Sequence, residues 1–177
     1  MKLPVRIAVL LVVGPLAGAA TLRAQYDRDS DRQRDRPSRA ISLVGGPSSY
    51  RLSGTGTSFT AAIRFDLPLG RLFIVEPGIG YFRYRTQFKQ SLKYLLPEVG
   101  FQIQPPRGPV RPYVGVGAGF SEYLTGPGAS PGTVHVAAGL RAWLTRSYGL
   151  RAEVRLRGLD PFSGQQMTDF TIGFSKR

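Results

Sequence analysis

Cysteine is missing from the 177 residues, and histidine occurs once, at position 135. Without thiols there is no disulfide framework, no cysteine-based zinc or iron–sulfur centre and no thiol nucleophile. A single histidine leaves no multi-histidine metal site, so no metal or other cofactor is expected. Acidic residues are scarce too: 11 Asp and Glu stand against 24 Lys and Arg, a formal charge of +13. No apolar run reaches the ~20 residues that a helix needs to cross a bilayer. These absences set aside the metalloenzyme, the thiol enzyme and the helical membrane protein. What is plentiful is glycine, at 22 residues, within a chain that is 42% hydrophobic. That apolar share is too high for a disordered chain, and the length suits one domain.

Residues 1–24 read as a secretory signal peptide. Lys2 and Arg6 form a positive start, residues 7–13 are unbroken apolar, Gly14 and Pro15 break the helix, and small residues follow. Cleavage falls after Ala24 or, alternatively, after Ala20; the Pro-interrupted stretch is too short for a membrane anchor. Export redirects the meaning of the basic charge. Nucleic acid is not an expected partner outside the cytoplasm, whereas a phosphate-bearing membrane surface is. Residues 25–39 carry four Asp and five Arg and almost nothing apolar, the composition of a disordered polar linker.

From residue 40 to 177 the pattern is period two, the spacing of a strand with two different faces. Phe59, Ala61, Ile63, Phe65 and Leu67 share one face, with Thr60, Ala62, Arg64 and Asp66 on the other. Val114, Val116, Ala118 and Phe120 alternate with Gly115, Gly117, Gly119 and Ser121. Leu150, Ala152, Val154 and Leu156 alternate with Arg151, Glu153, Arg155 and Arg157. Eight such segments are present, the first centred on Ile41 and Leu43 and the last running through Phe170, Ile172 and Phe174. The spacing leaves no room for crossover helices, so the strands pair antiparallel as a meander. Tight connections at 68–71, 105–109 and 145–147 alternate with longer polar ones at 47–57, 85–91, 125–133 and 158–166. That alternation is how an eight-stranded antiparallel up-and-down transmembrane β-barrel is built.

A soluble barrel turns its apolar face inward, and a membrane barrel turns it out. The acids discriminate between them. Of the seven after residue 39, four (Asp66, Glu76, Glu98 and Glu153) lie mid-strand on the glycine-rich face, together with Arg64, Arg141, Arg151 and Arg155. Eight strands enclose a space just wide enough for side chains to fill, so these eight residues are expected to form an ion-pair network that plugs a polar lumen. The apolar face carries aromatics towards both ends: Phe59, Tyr81, Phe120 and Phe170 at one, Phe73, Phe101, Tyr148 and Phe174 at the other. Aromatic girdles at both interfaces belong to membrane barrels.

The run Arg111-Pro-Tyr-Val-Gly-Val-Gly-Ala-Gly-Phe120, followed by Ala138-Gly-Leu-Arg141 and Glu153-Val-Arg155, resembles the small Gram-negative outer-membrane β-barrel family, the OmpA/OmpX-like group. The resemblance covers residues 40–177. It implies an outer-membrane location and recognition of the last alternating aromatic strand by the barrel-assembly machinery; Ser175, Lys176 and Arg177 follow Phe174 where the family usually stops at an aromatic. Members include structural anchors, adhesins, small pores and lipid-modifying enzymes, so the resemblance leaves activity open.

His135 is expected on the lumen face near the loop end of its strand, in the neighbourhood of Ser121. A Ser/His/acid set there would make a lipid-A-modifying acyl hydrolase or transferase. No Gly-x-Ser-x-Gly elbow is present, and the plainer reading is a lumen histidine hydrogen-bonded to a neighbour. Arg51, Arg83, Arg85, Lys89, Lys93 and Arg157 are expected at the long-loop rim, where they are placed to contact lipopolysaccharide phosphates. The expected protein is therefore a non-catalytic outer-membrane barrel with a structural or surface-interaction role and lipid and lipopolysaccharide as partners. The alternatives are the lipid-A enzyme and a soluble periplasmic ligand barrel. Oligomeric state is not legible in the sequence.

Overall fold

The computed structural model describes residues 38–52, 54–85, 91–106, 108–124, 131–159 and 164–177. The expected signal peptide and the linker up to residue 37 lie outside the described residues. The strands are β1 (Ala40–Arg51), β2 (Thr55–Pro68), β3 (Phe73–Arg85), β4 (Ser91–Ile103), β5 (Val110–Phe120, continued by Glu122–Tyr123), β6 (Gly132–Trp143), β7 (Tyr148–Leu159) and β8 (Gln165–Lys176). Each pairs antiparallel with the next in sequence, and β1 also pairs with β8, from Ile41 opposite Lys176 to Arg51 opposite Gln166. The sheet is therefore a closed eight-stranded antiparallel barrel, and every strand has a neighbour on both sides. Closure removes the open edges that lipid has no hydrogen bonds to satisfy.

The strands run further at the loop end than the sequence suggests. Residues 47–57 form no long loop: β1 continues to Arg51, β2 begins at Thr55, and the Leu52 amide donates to the Gly54 carbonyl at 2.8 Å. Serine, threonine and glycine in that stretch read as loop by composition, but Ser48 and Tyr50 keep the period-two phase and are buried. Three other expected loops contain segments outside the described residues (86–90, 125–130 and 160–163). At the opposite end the connections are short, and Gly108 takes a φ of +97°, the left-handed region that suits glycine.

Both faces follow the period. Ile41, Leu43, Ile63, Phe65, Val99, Phe101, Val114, Val116, Val136, Leu156, Ile172 and Phe174 all face out and are exposed, Ile172 to 70%. Arg64, Asp66, Glu76, Glu98, Arg141, Arg151, Glu153 and Arg155 all face in and are buried, Arg151 fully. A soluble barrel would show the reverse.

Nearer the long-loop end the faces exchange character. There the interior holds an apolar cluster of Tyr50, Phe82, Tyr94, Leu96, Leu159 and Met167, with Leu52, Leu92 and Tyr123 packed on it. Tyr50 and Phe82 meet edge to face, with centroids 5.8 Å apart. The outward residues at this level are Ser49, Arg51, Thr55, Thr57, Arg83, Lys93 and Gln166, all exposed. The lumen is thus not polar throughout, as the sequence reading has it. It is charged along the apolar belt and apolar above it.

Candidate functional site

The charged layer is built from inward positions of β2, β3, β4, β6, β7 and β8. Strand β7 supplies the most, with Arg151, Glu153, Arg155 and Arg157 two residues apart on one face. Glu153 is the hub. Its carboxylate accepts from Arg64 Nη1 at 2.6 Å, Arg151 Nη2 at 2.6 Å, Arg155 Nε at 2.9 Å and the Tyr113 hydroxyl at 2.7 Å. Arg151 also donates from Nε to the Tyr113 oxygen at 2.7 Å and from Nη1 to Glu76. Its guanidinium carbon lies 4.9 Å from the centre of the Tyr113 ring. Arg155 reaches Glu76 at 3.1 Å and pairs with Glu98. Arg141 pairs with Asp66, whose other carboxylate oxygen is 4.0 Å from Arg151.

Two members are absent from the expected network. Arg157, assigned by the sequence reading to the loop rim as a lipopolysaccharide contact, is buried; it donates to Glu98 at 3.0 Å and to Asp169 at 2.5 Å. The correction follows from phase, because Arg157 continues the inward series of Arg151, Glu153 and Arg155. Asp169 is the second. It lies on the inward series of Thr171, Gly173 and Ser175, one residue before Phe170, where the sequence pattern starts the last strand, and it also accepts from Ser48 Oγ at 2.6 Å. With these two, five guanidinium groups and five carboxylates form one continuous chain of ion pairs whose formal charges cancel. Cancellation is what makes such burial tolerable, since an unpaired charge in a low-dielectric interior costs several kcal/mol or more.

Glycine makes the room. Tyr113 stands opposite Gly139 and His135 opposite Gly117 across β5–β6, and Arg64 stands opposite Gly78 across β2–β3. A Cβ on Gly139 would lie 2.5 Å from the Tyr113 ring, and one on Gly117 would lie 2.5 Å from the His135 ring. Each bulky inward side chain lies flat over the small residue beside it.

His135 is buried with Nδ1 3.4 Å from Glu98, and that nitrogen makes no hydrogen bond. Ser121 is elsewhere: its Oγ contacts the Pro131 carbonyl at 3.4 Å, four residues up the strand from His135. The structure does not bring the two together, so Ser121 does not stand where the expected acyl-transfer set needs its nucleophile.

Of the remaining rim residues, Arg51, Arg83 and Lys93 are exposed at the long-loop end. Arg83 and Lys93 stand directly opposite each other across β3–β4, and Arg83 Nε donates to Ser91 Oγ at 2.7 Å. Lys89 and the side chain of Arg85 lie outside the described residues.

No family model matches the chain, and no curated protein matches it in sequence. Solved structures do. Neisserial surface protein A superposes with a TM-score of 0.56 at 16% identity, over 78% of this chain and 96% of that one. OprG from Pseudomonas aeruginosa gives 0.54 at 13%, over 81% and 97%. The attachment invasion locus protein Ail of Yersinia pestis gives 0.53 at 13%, over 78% and 96%. The fold is that of a small outer-membrane barrel. At these identities the likeness is one of fold: a closed eight-stranded barrel of the kind found in small outer-membrane proteins, here with a charged interior.

Proposed function

We propose that the chain is exported, cleaved after its signal peptide and inserted by the barrel-assembly machinery into the bacterial outer membrane, where it acts without catalysis as a structural or surface-interaction protein. The observation that carries this reading is the pairing of an exposed apolar belt with a self-neutralised ionic interior at the same level of the barrel. Lipid outside and buried charge inside account for both. The lumen is plugged: the ion-pair layer fills it along the belt, and the apolar cluster seals it on the loop side. The surface role is supported by the fold, which is shared with a protein named for the neisserial surface and with one named for attachment and invasion.

Lipopolysaccharide is the proposed partner of the loop rim. Arg83 and Lys93 stand opposite each other and exposed on the outside of β3–β4, where one phosphate could accept charge-assisted contacts from both; Arg51 is exposed at the same end.

Fractionation tests the membrane reading. The protein should leave the envelope only with detergent, and its unheated form should migrate faster on a gel than its boiled form. Recovery in the soluble periplasmic fraction would overturn it. Planar-bilayer recording should show no conductance steps, and steady channel openings would refute the plugged lumen. The Arg83→Gln/Lys93→Gln double variant should lose retention on immobilised lipopolysaccharide while keeping its heat-modifiable mobility.

A further inference from the structure

The loop rim is one of two basic edges. At the opposite end, where the tight turns lie, Arg39 precedes β1, Arg71 sits between β2 and β3, Arg146 sits between β6 and β7, and Lys176 closes β8; all four are exposed. The strand order β3-β2-β1-β8-β7-β6 makes these cations successive along the rim, so one arc spans six of the eight strands.

No exposed Asp or Glu lies at this rim among the described residues. Among the described residues the only exposed carboxylate is Glu122, at the loop end. Asp66, on the strand that leads to this rim, is buried and pairs with Arg141. The two turns also share a construction. Arg71 is flanked by exposed Leu69 and Leu72, and Arg146 by exposed Leu144 and Tyr148. The second turn is held in shape, because Thr145 Oγ1 accepts from the amides of Ser147 at 3.3 Å and Tyr148 at 3.0 Å. Lys176 lies 5.8 Å from the centre of the Tyr148 ring. Apolar side chains flanking a fixed cation suit the boundary between acyl chains and headgroups, where the greasy groups enter the bilayer and the cation stays at phosphate level.

We propose that this arc binds the headgroups of anionic phospholipids in the leaflet that faces the tight turns. The inference rests on the membrane-barrel reading above. In an outer membrane the turn-side leaflet is made of phospholipid, and the lipopolysaccharide lies on the other side, so the two basic rims take different anions. Arginine grips a phosphate with two parallel N–H donors, and the arc carries three arginines and a lysine at four separate points of the rim, in two turns, before β1 and at the end of β8. It therefore engages several headgroups at once.

The test uses the mature chain refolded into vesicles of phosphatidylcholine alone or mixed with phosphatidylglycerol, with spin-labelled phosphatidylglycerol or phosphatidylcholine reporting the lipid held at the barrel surface. The wild type should hold phosphatidylglycerol in preference. The Arg39→Gln/Arg71→Gln/Arg146→Gln/Lys176→Gln variant should lose that preference, by up to about fivefold in partition for each neutralised cation. The loop-side variant Arg51→Gln/Arg83→Gln/Lys93→Gln should keep most of it. Equal retention of both lipids by the wild type, or an unchanged preference in the turn-side variant, overturns the proposal. So does release by inorganic phosphate beyond that by chloride at equal ionic strength, which would assign the arc to free phosphate. Failure of the wild type to insert even into phosphatidylcholine is a different result and refutes the membrane-barrel reading itself.

Discussion

The lower and upper halves of this barrel obey the same period and opposite chemistry. On β7 the inward residues run Arg151, Glu153, Arg155, Arg157 and then Leu159, while the outward ones begin with Tyr148, Leu150, Ala152, Val154 and Leu156. On β1 the outward residues begin with Ile41 and Leu43 and finish with Ser49 and Arg51, as the inward ones finish with Tyr50. The backbone is the same throughout; what changes is the medium it was built for. Where lipid surrounds the strands, apolar groups face out and charges must find each other inside. Where water surrounds them, the interior becomes an ordinary hydrophobic core. On the membrane reading proposed above, the level at which the faces exchange is where the bilayer ends.

Four substitutions sharpen or break that contrast, each read as a shift in urea unfolding of the vesicle-inserted protein. The largest effect is expected from Glu153→Gln in the lower half. It strips three guanidinium groups of their shared partner and should destabilise by about 3–5 kcal/mol; a loss under 1 kcal/mol would mean the ionic layer is open to water. In the upper half, Leu96→Ala hollows the apolar cluster and should cost about 2–5 kcal/mol, whereas a solvent-filled mouth would leave stability unchanged. Val116→Arg on the lower outer face should cost about 2–4 kcal/mol if the site lies at mid-bilayer. A neutral result there would remove the lipid belt. The smallest change is expected from Thr57→Arg on the upper outer face, within about 0.5 kcal/mol as for ordinary wet surface. If it matched Val116→Arg, the strands would not rise out of the bilayer at all.

Much of the lower half was legible in the sequence, because alternation is a local signal and eight strands leave it no ambiguity of phase. Val114, Val116 and Val136 outside, with Gly115, Gly117 and His135 inside, follow from counting by two. The upper half was harder to read. Its inward residues are apolar and its outward ones polar, so Ser48–Ser49 and Thr55–Thr57 resemble loop by composition although they are paired strand. Arg157 and Asp169 both sit near an apparent strand end, where the charged interior gives way to the apolar cluster: Arg157 has the right phase in the sequence but is assigned to the rim by its height, and Asp169 lies one residue before Phe170, where the last strand is expected to begin. Tyr113 had no charge to betray it, and its place beside Glu153 and Arg151 depends on its ring reaching from β5 to β7 over Gly139 of β6. The distance between His135 and Ser121 likewise depends on register, which alternation does not specify.

Strand β7 carries three arginines and one glutamate on a single edge-to-edge ribbon, while the acids that complete the balance are spread over β2, β3, β4 and β8. Threaded into a bilayer by itself, that ribbon would drag a net double positive charge through hydrocarbon, at a penalty of ~2.5 kcal/mol or more per guanidinium even on lenient scales. On the membrane reading, strand-by-strand entry carries that penalty in full. Its counter-ions lie on four other strands, before and after it in the chain, so on the membrane reading proposed above the wall would curl nearly shut, with its charges matched, before passing into the bilayer.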